Sequence, residues 1–413
     1  MFCFTNTTII TPARTISHGM ALVRDDKFVA VGQAGEIAIP EGTQVINGQG
    51  LLLVPGFIDL QFNGAFGYDL THNPEKIWEV GLQLPRYGVT SFLPTIITAP
   101  LKTIRLAQTV WMQGPPPLYS GPTPLGLHLE GPFLNPAKRG AHNPAFLRPP
   151  DLRDVVSWSP EMGVRLVTLA PELLGSLDII ANLVQRGIVV SAGHSMATFG
   201  EARYGVTAGI RYATHLFNAM PPLHHRKPGL LGAVLADERV TIGLIADARH
   251  VHPSLVKLVW HMTGATRLNL VTDAMAALGM ADGNYLLGDY RVSVENGQAT
   301  LADGTLAGSI LSLDQALRNL LNLTGCSQAE ALQTITTTPA TLLGLSDRIG
   351  LIAPGYDADM VVLDPEFFVV ATIVKGKLAY RRNIPGWKAN QTPADKTGRP
   401  AVEAASAGIA QAN

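Results

Sequence analysis

The sequence predicts an α/β fold: a TIM-like (β/α)8 barrel with a small β-sandwich domain formed from both chain ends. Two observations carry that prediction. Through the middle of the chain, short continuous apolar segments alternate with helical patterns or with loops rich in Gly, Pro and Asn, as parallel strands covered on both faces do. At both ends the alternation gives way to short strands and turns, and each end block is too small to bury two faces alone.

In chain order, residues 1–54 supply the first part of the sandwich, with strands in TNTTII, GMALVRD, FVAVGQ and TQVING. Residues 55–349 are assigned to the barrel. Its strand candidates are LLVPGFIDLQ, TSFLPTI, PLGLHLEG, VRLVTLAPE, GIVVSAGHS, RYATHLFNAM, VTIGLIADARH and RLNLVTDAM. SLDIIANLVQRG and HPSLVKLVWHMTGAT read as helices between them. Residues 285–304, YLLGDYRVSVENGQATLADG, interrupt the pattern as a β-hairpin insertion. Residues 350–384 complete the sandwich, and residues 385–413, rich in Ala, Pro, Asn and Lys, read as a loose tail.

Composition narrows the function classes. The 413 residues are 46% hydrophobic and 15% charged, which fits a well-buried globular enzyme. A net charge of -1 gives no electrostatic case for nucleic acid or an anionic membrane as partner. Apolar runs stop at strand length, so no membrane span is expected. Cys3 and Cys326, far apart, make neither a disulfide framework nor a Cys-type zinc site. The start has no basic segment followed by a sustained apolar run, so no signal peptide is read and a cytoplasmic location is expected.

In such a barrel the chemistry sits at the C-terminal strand ends. The polar residues gather there: His128 and Glu130 on the third strand, His194 on the fifth, His215 and Asn218 on the sixth, Asp247 and His250 on the seventh, Asp273 on the eighth. Glu130, His194 and His215 are a candidate ligand set for one divalent metal, because a catalytic zinc takes three N or O protein ligands and leaves a position for water. Asp273 is the candidate general base. His128 shares a face with Glu130 and is read as a partner that orients it rather than as a further ligand. The basic run His224-His225-Arg226-Lys227 is a candidate anion contact. On the first strand Asp59, Gln61 and Asn63 share one face, where many metal hydrolases carry two histidines.

These residues resemble a family. HLEGPFLNPAKRGAHNP, AGHSMAT, THLFNAMPPLHHRKPG, IADARHVHP, LVTDAM and TLAGS are similar to the motifs of the N-acetylglucosamine-6-phosphate deacetylases of the amidohydrolase superfamily, over about residues 1–385. The resemblance implies Glu130, His194 and His215 as metal ligands and Asp273 as catalytic acid/base. It implies His142 and His250 as contacts near the acetamido and sugar groups. Asn218, Ala219 and Arg226 would hold the sugar and its phosphate, and Ala141, Leu306, Ala307 and Gly308 would line the pocket. It implies a homodimer, in which the arginine and the second histidine can come from the neighbouring subunit. One branch of the family has His-x-His on the first strand and another has Gln-x-Asn. Gln61-x-Asn63 follows the second, which predicts one divalent ion per chain, with the amides as hydrogen-bonding or water-holding groups at vestigial second-metal positions. Zn2+ is expected first, though Fe2+, Mn2+ and Co2+ suit the same donors. The implied reaction converts N-acetyl-D-glucosamine 6-phosphate to D-glucosamine 6-phosphate and acetate, in amino-sugar catabolism or recycling. The alternative is another amidohydrolase, acting on an N-acyl or cyclic amide. Those usually carry His-x-His and often a bridging lysine, and VRLVTLAPE offers no lysine. A metal-free scaffold is disfavoured by Glu130, His194, His215 and Asp273 all being present.

Overall fold

The computed structural model describes residues 1–383; the expected tail at 385–413 lies outside them. The barrel strands are Phe57–Phe62, Val89–Ile97, Leu127–Glu130, Val164–Leu169, Val189–Ala192, Tyr212–Ala213, Thr241–Leu244 and Leu268–Leu270. Every neighbouring pair from first to eighth is parallel. A bridge from Phe62 to Ala274 ties the segment after the eighth strand back to the first. All eight expected strand segments are present. The first two strands are buried along their whole length, as strands covered on both faces must be. Helices run over Ser176–Gln185 and Pro253–Arg267, where the sequence places them.

LLVPGFIDLQ divides in two. Leu52–Pro55 pairs with Met360–Leu363 in the terminal sheet, whereas Phe57–Phe62 opens the barrel. The chain changes sheet at Gly56, where a Cβ would collide with the Thr90 hydroxyl, so glycine is needed for this close approach.

Strands from both chain ends join in one eight-stranded sheet, in the order Lys377–Arg381, Val369–Val374, Met360–Leu363, Leu52–Pro55, Phe2–Ile10, Thr15–Arg24, Lys27–Gln33, with Gln44–Asn47 paired to Phe2–Ile10. Phe4, Ile9, Val23, Phe28, Leu53, Met360 and Ile373 form a core of its own. Val361, Leu363 and Val369 instead enter the barrel core, which docks this sheet on the barrel.

The insertion is a three-stranded meander, Gly283–Leu287, Tyr290–Glu295 and Gln298–Thr300, rather than a single hairpin. The additional turn is Asn296-Gly297, with φ of 51° and 76°, the left-handed pair a tight hairpin requires. Leu287, Val292 and Ala299 pack with Ile97, Ala141 and Met275, so the meander walls one side of the barrel mouth. Among the described residues no helix is long and apolar enough to cross a membrane.

Candidate active site

The third, fifth and sixth strand ends bring Glu130, His194 and His215 together, all buried, with one ligand atom of each within 4.8 Å of the others. His215 Nε2 lies 3.0 Å from Glu130 Oε1, His194 Nε2 3.3 Å from that same oxygen, and the two Nε2 atoms are 3.1 Å apart. His194 Nδ1 lies 2.8 Å from the Lys138 carbonyl, which can only accept. Nδ1 therefore carries the proton, and Nε2 presents its lone pair to the cluster. Burial opposes charge on Glu130, but the two imidazoles beside it hold its carboxyl well below the usual range. An ionised carboxylate and two imidazole nitrogens facing one point in a buried pocket fit a divalent ion. His194, His215 and Asp273 have φ of 48°, 23° and 48°. Such left-handed geometry at non-glycine residues is costly and clusters at functional sites.

Asp273 is fixed from the first strand. Asn63 Nδ2 donates to its Oδ1 at 2.7 Å, and its backbone N–H donates to Gln61 O at 2.9 Å. Burial, and then the Glu130 carboxylate, raise its pKa to about 6. Asn63 lines the cavity, and its Oδ1 has no partner. Gln61 is fully buried instead: Nε2 donates to Glu130 Oε1 at 3.0 Å, and Oε1 accepts from the Thr214 hydroxyl at 2.6 Å. At position 61 the amide is thus a hydrogen-bonding group between protein side chains, one of the two roles expected of it. The reading of His128 is corrected. Its imidazole lies between the Thr95 and Thr168 hydroxyls, at 3.2 and 2.8 Å, and burial lowers its pKa to about 4. It is a neutral residue of the barrel interior and does not orient Glu130. Asp59 accepts from the Thr272 hydroxyl at 2.6 Å, bracing the turn before Asp273.

These groups form the floor of a cavity of about 440 Å³, which Ala141, His142, Asn218, Ala219, His250, Leu306 and Gly308 also line. The Thr98 backbone N–H donates to His142 Nδ1 at 3.2 Å, so in the neutral ring Nε2 carries the proton. Burial, and then His194, lower the His142 pKa to about 3, which keeps the ring neutral. His250 is held by Asp247, whose Oδ2 lies 2.7 Å from Nδ1. Ala307 is buried against the meander, outside the lining. Arg226 stands on an exposed loop, donates to His225 Nε2 at 2.9 Å, and is not among the lining residues.

Lys138, Arg139, Leu287, Asp303 and Thr305 also line the cavity, and none of their side chains has a role there in the sequence reading. The first two sit inside the HLEGPFLNPAKRGAHNP motif, so the signal was there; Leu287 and Asp303 reach the mouth only because the meander folds over it. Glu172, at the end of the fourth strand, was also missed. It accepts from Asn135 Nδ2 at 2.9 Å, the Ser195 hydroxyl at 2.7 Å and the Met196 N–H at 2.6 Å, pinning the loops that flank His194.

A parallel barrel with a Glu/His/His cluster and a facing carboxylate at its strand ends defines a barrel hydrolase of the metal-binding kind. The amidohydrolase family model matches residues 52–379. The Bos taurus N-acetylglucosamine-6-phosphate deacetylase is 40% identical, the match covering 89% of this chain and 94% of that one. An N-acetylgalactosamine-6-phosphate deacetylase from Escherichia coli O157:H7 is 39% identical over 79% of this chain and 88% of its own. Among solved structures, a Mycobacterium smegmatis N-acetyl-D-glucosamine-6-phosphate deacetylase variant in complex with N-acetyl-D-glucosamine-6-phosphate superposes with a TM-score of 0.83 at 33% identity, covering 92% of this chain and 99% of that one. The chain belongs to the amidohydrolase family and, within it, to the N-acetylglucosamine-6-phosphate deacetylases.

Proposed function

We propose that the protein removes the acetyl group from N-acetyl-D-glucosamine 6-phosphate, giving D-glucosamine 6-phosphate and acetate, in the cytoplasm. The observation that carries this is the convergence of Glu130, His194 and His215 opposite Asp273 on the floor of one cavity, in a chain of this family. Glu130, His194 and His215 would hold one divalent ion, Zn2+ first, which supplies Lewis-acid polarisation of the amide carbonyl and lowers the pKa of water toward about 7. Asp273 takes the proton of the attacking water and returns it to the departing amine. A carboxyl near pH 6 suits both directions of transfer. Asn63 holds Oδ1, which leaves Oδ2 for the proton. The neutral His142 donates from Nε2 toward the carbonyl oxygen as negative charge develops there. His250, braced by Asp247, and Asn218 and Ala219 contact the sugar, while Leu306 and Gly308 shape the wall.

Arg226 does not reach its own chain's cavity. We assign it to the phosphate of a substrate bound in a second copy, so the active form is a homodimer. Arginine's planar fork matches the phosphate oxygens. The galactosamine isomer is the second reading, favoured by the Escherichia coli relative.

Acetate release from a panel of both N-acetylhexosamine 6-phosphates, their unphosphorylated forms, N-acyl amino acids and cyclic amides tests the assignment. Turnover confined to the glucosamine 6-phosphate supports it. Preference for an unphosphorylated sugar or a cyclic amide overturns it, and preference for the galactosamine 6-phosphate establishes the second reading.

A further inference from the structure

Gln61 occupies a first-strand position in the middle of the candidate metal site, yet it neither faces the cavity nor contacts solvent. Its amide has one allowed orientation. An ionised Glu130 carboxylate can only accept, so the NH2 group must face it, at 3.0 Å. Oε1 is then turned to Thr214, whose hydroxyl must be the donor, at 2.6 Å. The backbone of Gln61 is equally committed, with its N–H to Asp59 Oδ1 at 3.2 Å and its carbonyl accepting from Asp273 N–H at 2.9 Å. One residue thus ties the first strand to the third, sixth and eighth strand ends.

The amide bond falls on Glu130 Oε1, the oxygen that faces both imidazole Nε2 atoms, at 3.0 and 3.3 Å. The terminal torsion of a glutamate is soft and nearly two-fold, so without a restraint the carboxylate can turn away. Thr214 directly precedes His215, so the same chain of donors also joins the sixth strand end to Glu130.

We propose that Gln61 is a positioning residue: its side-chain amide, locked by Thr214, sets the orientation of the Glu130 carboxylate and so the strength with which Glu130, His194 and His215 hold a divalent ion. This rests on the metal-site reading above. It gives the amide a purpose distinct from that of a histidine at the same place, since it braces a ligand instead of being one.

The test is competition between the full-length protein and a chelator for Zn2+, for the parent, Gln61→Met, Thr214→Val and the double variant. Methionine keeps the buried length and removes both hydrogen bonds. Each single substitution should weaken Zn2+ binding about 10–100-fold, the usual range for a partner of a metal ligand. The double variant should bind no more weakly than Gln61→Met alone, because Thr214 acts only through the amide. Independent packing losses would multiply instead. Melting of the metal-free proteins, followed by circular dichroism, checks that each variant is folded. Zn2+ affinity within twofold of the parent in Gln61→Met, or factors that multiply, overturns the proposal. If Gln61→Met does not fold, Thr214→Val decides alone, and unchanged affinity there overturns it. A parent that binds no Zn2+ would sink the metal-site reading as well, whereas a parent that binds with indifferent variants sinks only the role of Gln61.

Discussion

Replacing Asp273 by Asn separates proton transfer from position. The amide is nearly isosteric, and its carbonyl oxygen can still accept the 2.7 Å hydrogen bond from Asn63 Nδ2, so the side chain stays in place. Its backbone bonds, N–H to Gln61 O and carbonyl from Ser309 N–H at 2.8 Å, are untouched. What is lost is the free carboxylate oxygen that binds the water proton. A positioned acid/base contributes about 10²–10⁴-fold, equivalent to about 3–5 kcal/mol of barrel-held catalysis. Acetate release at saturating substrate should therefore fall by at least about a hundredfold in kcat. Metal content should stay at the parent level and KM should change little, because neither Glu130, His194 and His215 nor the sugar contacts are altered. A variant that keeps more than about a tenth of the parent kcat would place the base elsewhere and refute the reasoning.

Arg226→Ala should lower kcat/KM for the 6-phosphate substrate by about 1.5–3 kcal/mol, the range for a hydrogen bond to a charged group, and leave the unphosphorylated sugar nearly unaffected. Mixing Arg226→Ala chains with Asp273→Asn chains should restore activity if the arginine crosses between subunits; verified hybrids that stay inactive refute that. Elemental analysis of freshly purified protein should find about one divalent ion per chain, because the first strand offers amides rather than imidazoles, and two would overturn the single-metal reading. Asp359 is buried with a pKa raised to about 7, chiefly by burial, against an ordinary 3.8. The folded state binds its proton more tightly than the unfolded state. Its contribution to stability is thus present below about pH 4 and is lost as the pH rises through about 7. Asp359→Asn should remove about 3 kcal/mol of that decline between pH 5 and pH 8, seen by comparing urea midpoints at those two pH values; an unchanged difference between those midpoints contradicts it.

The barrel was legible because a strand buried on both faces must be apolar along its length, and eight such runs stand out against a polar background. The metal cluster was legible for the complementary reason. Glu130, His194 and His215 are polar residues at the ends of apolar runs, and a polar side chain there needs a purpose. What stayed hidden depends on side-chain direction. Nothing in the sequence says that the Gln61 amide points sideways into Glu130 rather than into the cavity, or that His128 is spent between two threonines. The sequence set the domain boundary between 54 and 55 yet kept LLVPGFIDLQ as one barrel strand, because the apolar pattern runs through Gly56; the strand pairing on either side shows that two sheets meet there. The same limit applies to the sixth strand, whose ladder pairing is confined to Tyr212–Ala213. The positive φ values of His215 and Phe217, 23° and 77°, turn the chain outward early, and neither residue type announces that.

The sheet stitched from both chain ends orders events during synthesis. Leu52–Pro55 lies between Phe2–Ile10 and Met360–Leu363. Until residues 360–363 leave the ribosome, one edge of that early strand has no partner, although the barrel strands, ending at Leu270, are already out. The nascent chain therefore carries an open strand edge for roughly 300 residues of translation, at about 5–20 residues per second. A message cut short before Met360 yields a chain in which Leu52–Pro55 keeps an unpaired edge, the kind of surface that recruits other strands.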